Sequence, residues 1–217
     1  MSKVSLLDFW VSPFGMRARI ALAEKGVEFE RQEEDLFGGK SDLLLSSNPV
    51  YKKVPVLLHD AKPVCESLII LNYIDDAWPE KPLLPQCPYE RAQARFWADF
   101  TDKIFETGSN VWRSKGQAQE EAKKEFIDSI KLLEGALGEK KYFGGETFGF
   151  ADIATIAIAS WFYAYETCGG FKLADECPKF AAWMKRCGER ESVSTVLPEP
   201  SKVYEFVCMM KKMHGLE

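Results

Sequence analysis

Val4-Ser5-Leu6-Leu7-Asp8-Phe9-Trp10 runs into Ser12-Pro13-Phe14-Gly15, and this join of an apolar run to a helix signal decides the fold. The first run is apolar enough for a buried strand. Ser12 suits an N-cap, and Pro13 suits the first helical position, where its missing N–H costs nothing. Ala18, Ala21, Leu22 and Ala23 continue the helix, and Gly26 offers a left-handed stop. Val27-Glu28-Phe29-Glu30 then alternates apolar with polar, as a half-buried strand does. Residues 3 to 31 thus predict strand, helix and strand, with a connection long enough for a parallel crossover.

Further along, Asp35 to Ser47 reads as a loop with a short helix. Val54-Pro55-Val56-Leu57-Leu58-His59 is a strand whose proline belongs at its start or in a special bond. Asp60-Ala61 makes a tight turn, Lys62-Pro63-Val64-Cys65 returns as a strand, and Glu66-Ser67 starts a helix through Leu68, Ile69, Leu71, Tyr73 and Ile74. The order is βαβ followed by ββα. Trp78 to Pro88 holds four prolines and reads as a linker between domains. Beyond it the apolar period becomes helical. Ala92, Phe96, Phe100 and Ile104 mark one helix, and Phe126, Ile130, Leu133 and Leu137 a second. Ile153, Ile156, Ala157, Ser160 and Trp161 mark a central third, and Phe180 to Cys187 and Val203 to Met210 supply two more. The expected division is a domain over 1–78, a linker over 79–88 and an all-helical domain over 89–217.

The 217 residues are 46% hydrophobic and 28% charged, which excludes a disordered or low-complexity chain. A net charge of −5 does not attract phosphate backbones or anionic membrane surfaces, so neither nucleic acid nor membrane is an expected partner. The start, Met1-Ser2-Lys3, leads into an apolar stretch too short for a leader or a membrane helix, and His214-Gly215-Leu216-Glu217 is no recognised address. Six scattered cysteines without a Cys-x-x-Cys pair read as free thiols, and the cytoplasm is the expected location. Two histidines, His59 and His214, leave neither a zinc site nor a Ser-His-acid triad to expect.

Several residues admit a chemical reading beside a structural one. Ser12, at a helix start, either caps the helix or donates a hydrogen bond to an anion brought by a ligand. Val54-Pro55 is either an ordinary trans bond or a cis bond that leaves the Val54 backbone facing a cleft. Glu66 and Ser67 either cap their helix or bind an amino acid head group. Lys40, Lys52 and Lys53 are either solvated or neutralise a carboxylate. Trp112, Trp161, Tyr165 and Phe206 are either core or the lining of an apolar pocket. Gly149 and Asp152 have N-cap to N3 spacing, which makes Asp152 a structural cap.

Taken together, these segments resemble the cytosolic glutathione transferases, and among them the plant tau class. Phe9 to Arg17 is similar to that class's active-site segment, and Asn48 to Leu57 to its glutathione loop. Glu66 to Ile70 is similar to its γ-glutamyl site, and Gly149 to Ala154 to the folding motif of its helical domain. Cys177 to Phe180 and Lys202 to Phe206 extend the resemblance over essentially the whole chain. It implies a thioredoxin-like domain, an all-helical domain and a homodimer. Ser12 would be the catalytic serine, Val54 the backbone partner of the cysteinyl unit and Pro55 a cis proline. Glu66 and Ser67 would hold the γ-glutamyl end, and Lys40 and Lys53 the glycyl carboxylate. Val11, Phe14, Trp112, Trp161, Tyr165 and Phe206 would line the site for a hydrophobic electrophile. No metal or further cofactor is implied, glutathione being the co-substrate.

Two positions depart from the pattern. Val11 stands where tau enzymes often have a second proline, and Gly149 where other classes have Ser or Thr. The implied reaction is attack by the glutathione thiolate on an electrophilic carbon or on a hydroperoxide oxygen. A thiol–disulfide reductase on the same fold would need cysteine at position 12. A ligand carrier using the apolar pocket is the other alternative.

Overall fold

The computed structural model describes residues 3–216, so the readings of Met1, Ser2 and Glu217 lie outside the described residues. The first strand, β1 (Val4–Asp8), is buried along its whole length and is followed by α1 (Pro13–Lys25). Ser12 caps α1, and Gly26 ends it at φ 68°, a left-handed conformation that glycine adopts without penalty. The second strand, β2 (Glu30–Glu33), starts where the expected one ends, because the stop at Gly26 first returns the Val27 N–H to the Leu22 carbonyl. After α2 (Asp42–Ser47) come β3 (Val56–His59), β4 (Lys62–Cys65) and α3 (Ser67–Ala77). Asp60 and Ala61, both at positive φ, make the turn between β3 and β4.

The four strands form one sheet in the order β2-β1-β3-β4. β1 runs parallel to β2 and antiparallel to β3, and β3 runs antiparallel to β4. Register then decides what meets at one end of the sheet. Asp8 lies opposite Glu33, Leu7 opposite Val56, and Val56 opposite Cys65. The end of β1, the start of β3 and the end of β4 are therefore neighbours. The chain just beyond each of them carries Ser12, Val54-Pro55 and Glu66-Ser67.

The chain divides into two compact units between Leu83 and Leu84, both of which are buried. The second unit is helical: α4 (Pro88–Arg113), α5 (Gln117–Leu137), α6 (Phe150–Ala159), α7 (Phe162–Gly169), α8 (Leu173–Glu176), α9 (Pro178–Gly188), α10 (Glu191–Ser194) and α11 (Pro200–Met213). Every residue of α6 is buried, so it forms the unit's axis, with α4 and α9 packed against it. Phe126, Ile130, Leu133 and Leu137 of α5 are buried as their spacing predicts. On α4 only the later part of the expected stripe is inside. Ile104 is buried, but Phe96 is 58% exposed, and Ala98, Thr101 and Thr107 carry the inner face instead.

Asp152 is the polar anchor of this unit. It is fully buried at the start of α6, where its carboxylate accepts N–H groups from Phe143 (3.0 Å), Gly149 (3.1 Å) and the Trp183 indole (2.9 Å). Gly149 has no side chain to return a bond, so half of a capping box is present. Burial pushes the Asp152 carboxyl up to about 6, against the pull of its three donors.

All six cysteines are free. Cys177 and Cys187 are buried, Cys65, Cys168 and Cys208 half-buried, and Cys87 exposed. Burial pushes the Cys177 thiol up to about 11 and the Cys187 thiol higher, and it raises Cys65 and Cys168 as well.

Candidate functional site

Ser12 sits half-buried at the N-cap of α1 with extended backbone (φ −66°, ψ 113°). Its Oγ accepts the Gly15 N–H at 3.2 Å, and its own N–H reaches the Phe9 carbonyl at 2.8 Å. Among the described residues nothing accepts the Ser12 hydroxyl proton, so that proton is available to a group outside. The thirteen-residue helix adds its positive end at the same place.

The turn carrying Ser12 is fixed from below by charge. Asp8, fully buried at the end of β1, pairs with Arg19 at 3.1 Å and with Arg31 at 3.0 Å. Arg19 also donates to the Trp10 carbonyl (3.1 Å), and the Trp10 N–H reaches Glu33 (2.6 Å). Burial raises the Asp8 carboxyl above its ordinary value, while both arginines pull it down. Gly15 makes this packing possible. A Cβ built there would lie 1.7 Å from Asp8 Oδ1, so helix and carboxylate can meet only through a bare Cα.

The Val54-Pro55 bond is cis. Val54 is half-buried against Leu7, Leu44, Val56 and Leu58, and its backbone N–H and C=O make no hydrogen bond among the described residues. At the end of β4, Glu66 stands at φ 69°, a region that costs a non-glycine residue about 1–3 kcal/mol and is kept where function needs it. Its side chain is exposed and does not cap α3, so the capping alternative fails for Glu66. Ser67 is buried, and its Oγ accepts from Arg17 Nη1 at 2.9 Å. Arg17 is itself fully buried, with its guanidinium 5.1 Å from the Phe14 ring centre. Lys40 and Lys53 are exposed; Lys40 Nζ reaches the Lys52 carbonyl at 2.7 Å, and the Asn48 amide holds the Lys53 carbonyl at 3.0 Å.

In the first unit Val11 is buried and Phe14 half-buried. In the helical unit Trp161 joins Tyr165 and Phe206, with ring centres 6.4 and 5.9 Å away. Tyr165 is fully enclosed, against Phe126 and the Ser109 hydroxyl. Trp112 is 2% exposed, and its indole N–H has no acceptor among the described residues. Register brings Ser12, Val54, Pro55, Glu66 and Ser67 to one end of the sheet, and in the helical unit Trp161, Tyr165 and Phe206 form a cluster of their own. Sequence reasoning passed over Arg17, Asp8, Arg19 and Gly15. The available signal was a pair of arginines, at 17 and 19, in a stretch from Pro13 to Ala23 that is otherwise glycine, proline or apolar.

No group of His, Cys, Asp and Glu among the described residues could hold a metal ion, and no helix among them is long and apolar enough to cross a membrane.

Residues 2–76 match the family description "Glutathione S-transferase, N-terminal domain", and residues 84–191 match "Glutathione S-transferase, C-terminal domain". The chain is 57% identical to the probable glutathione S-transferase parC of Nicotiana tabacum, over 99% of this chain and 98% of the relative. It is 56% identical to glutathione S-transferase U28 of Arabidopsis thaliana, over 100% and 98%. Among solved structures, rice GST1 (OsGSTU1) in complex with glutathione superposes with a TM-score of 0.95 at 52% identity, covering 98% of this chain and 97% of that one. The tau-class enzyme of mango, Mangifera indica, superposes with a TM-score of 0.91 at 42% identity, over 96% and 98%.

Proposed function

The chain belongs to the glutathione S-transferase family as a tau-class glutathione transferase, and on that premise we propose that Ser12 activates the glutathione thiol. A free thiol titrates near 8.5, so at neutral pH only a few per cent is ionised. Lowering that value by ~2 pH units takes about 2.7 kcal/mol. One charge-assisted hydrogen bond plus a helix start supply this order of energy. The observation that carries the reading is the Ser12 hydroxyl, which accepts from Gly15 and keeps its own proton for a partner at the start of α1.

The rest of glutathione follows the sheet end. The unpaired Val54 backbone beside Pro55 takes the cysteinyl amide. Ser67, held by Arg17, and the exposed Glu66 take the γ-glutamyl carboxylate and ammonium. Lys40 and Lys53 face the glycyl carboxylate. In the helical unit Trp112, Trp161 and Phe206 hold the hydrophobic electrophile, with the fully enclosed Tyr165 behind Trp161, and the Trp112 indole N–H is a donor to spare for it. The thiolate attacks carbon and conjugates the electrophile. With a hydroperoxide it attacks oxygen, giving an alcohol and a glutathione sulfenic acid that a second glutathione converts to disulfide and water. The protein acts in the cytoplasm as a homodimer. Exposed Val50, Tyr51, Tyr89 and Phe96 supply apolar surface for a second copy.

The test is the ultraviolet thiolate band of bound glutathione, titrated in the natural protein and in Ser12→Ala. The variant should titrate at higher pH and lose ~10²–10³-fold in conjugation rate, as when an oxyanion donor is removed. Coincident titration curves would reduce Ser12 to a cap worth about 1 kcal/mol.

A further inference from the structure

The helical unit contains a cavity of about 500 Å³ that none of the residues assigned to conjugation lines. Its size lies within the roughly 300–1,000 Å³ of small-molecule sites. Ile156 of α6, Phe162 and Tyr163 of α7, Leu173 of α8, Met184 of α9 and Leu197 give it a mainly apolar wall. Phe162 packs inward, with its ring centre 6.0 Å from that of Tyr165, while Tyr163, the next residue of α7, is exposed.

The charge in the wall is one-sided. Glu166 and Glu199 line the cavity, and no lysine, arginine or histidine does. Glu166 Oε1 accepts the Leu173 N–H at 2.6 Å, which leaves Oε2 uncommitted, and Glu199 stands before α11 without capping it. Neither carboxylate has a cationic partner among the described residues. Glutamates elsewhere in the unit do, as in Glu120 with Lys123 and Glu176 with Lys131. Two carboxylates without a cationic partner, together with the exposed Tyr163 ring, favour a cation, since ring faces attract ammonium groups and a carboxylate strengthens any hydrogen bond it accepts.

We propose that this cavity is a second, non-catalytic binding site for an amphipathic organic ammonium compound. Its apolar body lies between α6, α7 and α9, and its nitrogen lies between Glu166 and Glu199. An organic anion would meet two carboxylates and no base. A neutral hydrophobe would fill the wall and leave the glutamates unused.

The test is calorimetry on the intact protein saturated with S-hexylglutathione, which occupies the conjugation site. The probes are naphthylmethylammonium, naphthylmethanol and naphthoate, alike in apolar body and different in charge. The ammonium should bind about tenfold more tightly than the alcohol, the order expected of one charge-assisted contact, and naphthoate should bind weakest. Glu166→Gln combined with Glu199→Gln should bring the ammonium down to the affinity of the alcohol and leave the transferase rate unchanged. Glutamine keeps an oxygen for the Leu173 N–H, so this variant should fold. Equal affinity for ammonium and alcohol in the natural protein would overturn the ligand class. Binding that vanishes once S-hexylglutathione is present, or no binding of any probe, would overturn the site.

Discussion

Replacing Asp152 by asparagine should change stability in a way that depends on pH, and the sign follows from burial. The folded carboxyl titrates at about 6, against 3.8 for an ordinary aspartate. The folded protein thus binds this proton more tightly than the unfolded chain does. Stability from this group is fully present below the unfolded value and is lost as pH rises through the folded one. The two values, about two pH units apart, correspond to roughly 3 kcal/mol, of which roughly 2–3 kcal/mol is lost between about pH 4 and about pH 7. Asparagine cannot ionise. Its oxygen can keep the Phe143 and Trp183 donors, while its amide nitrogen confronts the Gly149 N–H at a pH-independent cost of ~1–3 kcal/mol. The advantage of the natural protein over Asp152→Asn should therefore be greatest in acid and shrink toward neutrality. Urea unfolding of both proteins across this range, followed by helical circular dichroism, measures it. A difference that is flat in pH, or that grows as pH rises, would refute the burial argument. A normal unfolding curve with a collapsed kcat would refute the structural role itself.

Gly15→Ala should lower Tm by several degrees and slow conjugation, because the new methyl must displace Asp8 and with it the turn that carries Ser12; unchanged melting and activity would show that the helix slides freely on β1. Arg17→Ala should raise the KM for glutathione more than it lowers kcat, through a misplaced Ser67, and Glu66→Ala should do the same; steady-state kinetics with glutathione varied reads both. Trp112→Phe should change the ranking of electrophiles at nearly constant glutathione affinity, whereas a uniform loss of folded protein would mark the indole as core alone.

The fold was readable wherever local rules and packing agree. Ser12-Pro13 and Gly26 bracket α1, and the Asp60-Ala61 turn stands where its residues put it. The second strand lies a few residues later than its alternation suggests. Pairing with β1 decides an edge strand, and no single segment encodes that pairing. The first half of α4 shows the opposite failure. Its four-residue repeat is truly helical, yet Phe96 faces outward, because period fixes a face and not what covers it. At the site, Ser12 and Glu66-Ser67 were visible as helix starts. Asp8, Arg17 and Arg19 were not, since each matters through a partner far away in sequence, such as Ser67 for Arg17. The backbone of Glu66 was also hidden: positive φ at a glutamate is a demand of the fold around it, against local preference.

A catalyst that ionises one thiol in the presence of alkylating agents endangers every sulfur of its own, and the burial of its cysteines answers that hazard. A thiol held near 11, as Cys177 is, has only about one molecule in 10⁴ ionised at neutral pH, and Cys187 has fewer still. Cys65 and Cys168 are shifted the same way, if less far. The chain thus carries a store of sulfur that is chemically quiet toward electrophiles, so alkylation need not inactivate it through these four residues. Of the other two, Cys208 is half-buried and Cys87 is exposed just ahead of α4, so self-inflicted adducts would gather at Cys87 first.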